Sequence, residues 1–154
     1  MNRVLVTGAT GFVGSRIAAA FAATACELRC TVRASSDTRW VEETRAELVQ
    51  ADVTDPGALE PALEGVDLVV HGAGVTAAPS EDVFYEVNTE GTLNLAKASA
   101  EAGVERFVFI SSLAARGPDR EGAEPGAETP DAPESVYGMS KLAAEERLRG
   151  FTDE

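Results

Sequence analysis

The sequence predicts an α/β protein with a doubly wound parallel sheet of five strands in the order 3-2-1-4-5. Three observations predict it. Short, apolar, β-branched runs alternate with helical patterns along the chain. A glycine-lined turn, Gly8–Gly14, joins the first such run directly to the first helical pattern. Right-handed crossovers between parallel strands then favour this winding over the alternatives.

The elements follow in order. Arg3–Thr7 (RVLVT) reads as the first strand. Beyond the glycine turn, Val13, Ile17, Phe21 and Thr24 recur on one helical face. Glu27–Arg33 (ELRCTVR) is the second strand, and the polar stretch Ala34–Thr44 is loop with a short helix. Glu47–Ala51 is the third strand. Asp55–Glu64 is a short helix, with Asp55 as N-cap and Pro56 at its first position. Asp67–His71 is the fourth strand, Glu81–Ala102 a long helix closed by Gly103, and Arg106–Ile110 the fifth strand. Leu113–Glu134 reads as loop and Ser135–Arg149 as the last helix. On the long helix, Phe84, Val87, Gly91, Leu95, Ala98 and Ala102 form one stripe, and Leu93, Ala96 and Ala100 a second. One stripe covers a sheet; a second suggests contact with another subunit or domain.

The 154 residues make one domain. With 44% hydrophobic and 25% charged residues, an ordinary globular core is expected. A net charge of −13 disfavours nucleic acid and anionic membrane as partners. No run of 18 apolar residues offers a membrane span, and MNRVLVTG leaves no room for a signal h-region, so a cytoplasmic location is expected. Cys26 and Cys30 lie four apart on one strand, too far for a disulfide, and read as small buried thiols. With His71 the one histidine, zinc lacks ligands; His71 ends a buried strand and reads as structural. Pro118–Glu134, with six acids and one arginine, is a solvated loop or a lid.

The turn Thr7-Gly8-Ala9-Thr10-Gly11-Phe12-Val13-Gly14 carries the first chemical message. Gly8 allows the tight turn, Gly11 lets a pyrophosphate approach the backbone, and Gly14 lets the helix pack closely on the sheet. Free N–H groups and the helix dipole then hold the anion, so Gly8, Thr10, Gly11, Phe12, Val13 and Gly14 are expected at a dinucleotide. The second strand ends on Arg33, with Ser35 and Ser36 behind it; Asp37 is four residues late. An arginine there suits the 2′-phosphate of NADP, so NADP is preferred over NAD. After the third strand, Asp52 is placed to accept from an adenine amino group, beside Val53. After the fourth, Gly72-Ala73-Gly74-Val75 leaves room for a ribose at the switch point.

The last helix opens Val136-Tyr137-Gly138-Met139-Ser140-Lys141. Tyr137 and Lys141 share one face, and an ammonium near a phenol favours the phenolate, as a general acid/base needs. The fifth strand runs into Ser111-Ser112, where a hydroxyl can hold a substrate carbonyl or alcohol.

Together TGATGFVG, ADVTD, HGAG, VNTEGT, FVFISS and YGMSK resemble, in order, the short-chain dehydrogenase/reductase superfamily, in its extended branch, the NAD-dependent epimerase/dehydratase family. The resemblance implies a Rossmann fold with Ser112, Tyr137 and Lys141 as catalytic residues. It also implies Lys141 on the nicotinamide ribose and Asn88 ordering the helix start beside the cofactor; Ser111, at the end of the fifth strand, is expected next to the nicotinamide half of the site by its position. Members commonly dimerise through the fourth and last helices, here 81–102 and 135–149. Members are about twice as long, so the further strands and a substrate domain are expected to be missing from this chain. The residues after Ser112 lack the Val-Tyr-Gly ending of sugar-nucleotide epimerases. The expected function is an NAD(P)-dependent oxidoreductase interconverting a carbonyl and a secondary alcohol. A sugar-nucleotide epimerase or dehydratase, and a non-catalytic dinucleotide-binding module, are the alternatives.

Overall fold

A computed structural model describes residues 3–118 and 130–152. Five parallel strands, β1 (Arg3–Thr7), β2 (Glu27–Val32), β3 (Glu47–Gln50), β4 (Leu68–His71) and β5 (Arg106–Phe109), pair in the order β3-β2-β1-β4-β5. The helices are α1 (Phe12–Ala22), α2 (Glu60–Leu63), α3 (Glu81–Tyr85), α4 (Gly91–Glu101), α5 (Leu113–Arg116) and α6 (Val136–Thr152). The order matches the expectation.

The alternation of β1 divides the core into two layers. Val4 and Val6 face one side, with Ala18, Cys30, Val41 and Val70. Leu5 faces the other, with Val69, Leu59, Leu63 and Leu95. The central strands β1 and β4 are buried almost throughout, whereas β3 and β5 at the edges are largely accessible. No described helix is long and apolar enough to cross a membrane.

Several local readings change. On α1 half of the apolar stripe that spacing suggests meets the core, through the partly buried Ile17 and Phe21. Val13 is exposed and Thr24 lies beyond the helix, while the small residues Gly14 and Ala18 are buried. Close approach of helix to sheet selects small side chains here. The segment 55–64 is two pieces. Asp55 does cap, accepting from Gly57 N, but a 3₁₀ turn at Pro56–Ala58 gives way to α2 at Glu60, and Pro61 has no N–H with which to continue one ladder. The long helix is interrupted by a π turn at Glu86–Glu90, where a residue is accommodated without breaking the rod. The supposed loop after β5 contains α5, capped by Ser112 Oγ, which accepts from Ala114 N at 3.1 Å. Cys26 precedes β2 rather than lying on it; both thiols are free, and burial pushes Cys30 up to about 12.

Of the second stripe of the long helix, only Ala100 is exposed. Leu93 and Ala96 are buried within the chain, where α6 packs on α4 and the π turn. The stripe therefore supplies no argument for a second copy. Of the acidic segment 118–134, residues 119–129 lie outside the described residues.

Two buried polar side chains tie the layers together. Arg29, on β2, donates to Ala62 O at 2.9 Å and Glu64 O at 3.1 Å and pairs with Glu47. A cation there satisfies carbonyls at the end of α2. His71 is fully buried between Thr7 (Nδ1 to Oγ1, 2.6 Å) and Thr92 (Nε2 to Oγ1, 2.9 Å). Thr92 donates its one hydroxyl proton to Asn88 O, so it must accept from His71 Nε2–H. Thr7 then donates to Nδ1 and itself accepts from Ala73 N. The imidazole is neutral, and burial, with Lys141 second, pushes its pKa down to about 3.

Protonating His71 therefore favours the unfolded chain. Its folded value lies below its unfolded value of about 6.5, so its contribution is full above that pH and declines as pH falls towards 3. Urea unfolding at pH 7 and pH 5 should show a steeper loss for the native chain than for His71→Gln, by up to about 1.4 kcal/mol per pH unit. Equal slopes would place the acid sensitivity elsewhere.

Candidate functional site

The cleft lies at the carboxyl ends of β1–β4, where the winding direction changes between β1 and β4. Its geometry starts at Gly8, which holds φ +70° after β1. A Cβ there would sit 2.5 Å from the Gly72 carbonyl carbon, and one on Gly14 would sit 2.1 Å from Gly8 O. Only bare backbone lets β1, α1 and the loop after β4 meet this closely. Gly11 caps α1 without any side-chain bond, so the first-turn N–H groups of Phe12, Val13 and Gly14 have no acceptor within the helix. They form an open anion seat.

Behind that seat is a cavity of about 460 Å³, within the range of small-molecule sites. Gly8, Thr10 and Gly11 line one wall. Arg33, Asp52 and Val53 line the β2–β3 end, and Ala73, Gly74 and Val75 the β4 side. Phe12 and Val13 are exposed at the mouth rather than in the wall, so only their backbone serves the expected role. Gly14, Asn88, Ser111, Ser112, Tyr137 and Lys141 lie outside the lining.

The chemistry at the β2 end is specific. Among the described residues the Arg33 guanidinium has no hydrogen-bond or ion-pair partner, while its N–H donates to Ser36 Oγ at 2.9 Å. Asp37, the late acid, is not in the wall. Its carboxylate accepts from Arg39 Nε at 2.6 Å, and that arginine holds it below the usual carboxylate range. Asp52 uses one oxygen locally, accepting from Thr54 N at 3.0 Å and Thr54 Oγ1 at 2.8 Å, while Oδ2 stays available to the cavity.

Asn88 connects the cavity to α6. Its Oδ1 accepts from Val75 N at 2.8 Å, and its Nδ2 donates to Val75 O and to Ser140 Oγ, both at 3.0 Å. Ser140 passes its own proton to Tyr137 O at 2.8 Å, and Thr89 Oγ1 donates to Ser140 O. The side-chain amide thus fixes the loop that would meet a ribose and the helix that carries Tyr137 and Lys141. Gly138 matters as much, because a Cβ on it would lie 2.2 Å from Ala114 O. Its absence lets α6 close on α5, and so draws Tyr137 towards the Ser112 segment.

Lys141 is buried and donates to Ile110 O at 2.8 Å, with its ammonium 3.9 Å from the Phe109 ring centroid. Burial pushes its pKa down to about 8, against the opposing pull of Glu145. Ser112 Oγ accepts from Ala114 N and keeps its proton for donation. Ser111 does not face the cavity; its hydroxyl donates to Glu145 Oε1.

Sequence reasoning missed Thr31, Thr54, Glu86 and Val87 in the lining. Thr54 could have been found from the Asp-x-Thr turn. Glu86 and Val87 could not, because the π turn that sets their direction has no periodic signature. No set of three or more His, Cys, Asp or Glu able to hold a metal occurs among the described residues.

A parallel sheet in this order, with a bare-backbone cleft at its switch point, defines a Rossmann-like α/β fold. A profile of the NAD dependent epimerase/dehydratase family matches residues 4–154, and the chain belongs to that family. It is 33% identical over 146 residues to the ceramide reductase of Caulobacter vibrioides, covering 95% of this chain and 41% of that protein. Among solved structures, a short-chain dehydrogenase/reductase superfamily protein from Agrobacterium tumefaciens with bound NAD superposes with a TM-score of 0.82 at 36% identity, over 97% of this chain and 44% of that one. The UDP-glucose 4-epimerase of Thermus thermophilus, in complex with NAD, superposes with a TM-score of 0.87 at 31% identity, over 98% and 51%. The chain thus spans about half the length of the relatives it matches.

Gly14→Ala should strike the fold itself, since its Cβ meets immovable backbone. A loss of about 1–3 kcal/mol in denaturant unfolding is expected. An unchanged midpoint would mean that α1 can back away from β1.

Proposed function

We propose that the protein carrying this chain is an NADP-preferring oxidoreductase that interconverts a carbonyl and a secondary alcohol. The open Arg33 guanidinium in the cavity wall, with the competing acid Asp37 tied to Arg39, is the observation that carries the cofactor preference. The bare-backbone cradle and the uncapped first turn of α1 fit a dinucleotide's pyrophosphate. Asp52 Oδ2 would accept from the adenine amino group, and Ala73, Gly74 and Val75 would leave space for a ribose. When bound, the nicotinamide supplies or accepts hydride.

The remaining roles belong to the chain's own side chains. Tyr137 moves the proton at the substrate oxygen, and the free Ser112 proton holds that oxygen in place. Lys141 lends positive charge to the tyrosine and reaches the nicotinamide ribose. Asn88 keeps α6 in register with the Val75 loop. A small carbonyl or alcohol compound is the substrate.

The similarity to an NAD-bound UDP-glucose 4-epimerase favours a second reading, in which the same residues serve transient oxidation of a sugar nucleotide. Purification with tightly held NAD and no net cofactor consumption would favour it.

Two measurements test the proposal. In calorimetry, Arg33→Asp is expected to weaken NADPH binding at least tenfold more than NADH binding, about 1.4 kcal/mol or more. Equal losses would reject the 2′-phosphate role. In the full-length protein, Tyr137→Phe is expected to lower kcat by roughly 10²–10⁴-fold. Retained turnover would remove Tyr137 from the mechanism.

A further inference from the structure

Lys141 has a charged companion on its own helix. Glu145 lies one turn further along α6, on the same face. Its carboxylate accepts from the Ser111 hydroxyl at the end of β5, and from Arg149 Nη2 at 3.0 Å. Lys141 Nζ donates to Ile110 O, the residue beside Ser111. Two neighbouring residues of one strand end are thus gripped by two α6 side chains one turn apart, through an amine and through a carboxylate. Ser112 comes next in the chain, so this grip fixes where the segment bearing it leaves the sheet.

Other charged and titratable groups lie on α6 and on the elements near it. They are His71 on β4, neutral and fully hydrogen-bonded, and Tyr137 one turn earlier. Arg116 lies on α5, and Glu90 on the π turn is held by Arg147. Among these, Glu145 is the anion whose charge acts on Lys141.

We propose that Glu145 is a positioning residue: tethered by the Ser111 hydroxyl, it fastens the end of β5 to α6 and sets a fixed negative charge one helical turn from Lys141. Without it, burial alone would act on Lys141, and the lysine would lose its proton at lower pH. With it, the ammonium stays charged while remaining buried against the Phe109 ring. The inference rests on the reading of Lys141 as part of the reacting centre, but its test requires neither turnover nor cofactor. A failure of one is therefore distinguishable from a failure of the other.

The chain contains two lysines, Lys97 and Lys141, so lysine resonances can be followed one by one. Protein labelled with ¹³C-lysine is titrated by NMR, with Lys97, exposed on α4, as internal control. In Glu145→Gln, which retains an acceptor for Ser111, the Lys141 midpoint is expected to fall by roughly half a unit or more, with Lys97 unmoved. Ser111→Ala, which frees the carboxylate, should move Lys141 the same way by less, and Glu145→Asp should restore most of the native value. A folded Glu145→Gln protein with an unmoved Lys141 midpoint would overturn the proposal. Should that variant not fold, an unmoved midpoint in Ser111→Ala would overturn it instead.

Discussion

At Gly8 the end of β1, the start of α1 and the loop after β4 touch through backbone alone, with φ +70° at the corner and no room for a Cβ at Gly8 or Gly14. That contact sets how far α1 stands from the sheet. It points the uncapped first turn of the helix over the strand ends and leaves the wall between β1 and β4 to glycines and other small residues. A larger residue at either glycine would push α1 outward and turn the open N–H groups away from the cleft. The cavity, its anion seat and its access to β4 are all consequences of this one approach.

The second half of the site depends on polar contacts that replace hydrophobic ones. From Thr7 through His71 and Thr92 to the Asn88 carbonyl, each proton has a donor and an acceptor. The Asn88 side chain continues the connection to Val75 and Ser140. Among the described residues no buried side-chain nitrogen or oxygen is left without a partner. A network so fully satisfied allows a single arrangement, because each displacement would strand a buried polar group. It carries the position of the cleft wall to α6, and so to Tyr137 and Lys141. Gly138 completes the link by letting α6 meet α5 at van der Waals distance.

Much of this was legible in the sequence, and the limits follow a physical line. Strand order, the glycine corner, Asp55 as a cap and the Arg33 and Asp52 positions depend on local pattern and short-range chain geometry. Features that depend on distant partners were hidden. Arg29 sits inside a strand because α2 offers it carbonyls, and Leu93 and Ala96 are covered because α6 returns over α4. The π turn that aims Asn88, Glu86 and Val87 leaves no mark on a 3.6-residue period. Ser112 reads as a chemical group at a strand end, and its second role as the cap of α5 is visible only once four residues fold behind it. Ser111, expected to face the cofactor, turns to Glu145 instead, since α6 presents a carboxylate within its reach.

The central claim is that a pyridine dinucleotide seats in the cleft between β1 and β4, held by open backbone and by Arg33. Amide chemical shifts of ¹⁵N-labelled chain, followed during addition of NADPH, test it most directly. Saturable shifts concentrated at Gly8, Gly11, Arg33, Asp52, Ala73 and Gly74 are the result the account requires. A spectrum unmoved at these amides, or shifts confined to surfaces away from them, would contradict it.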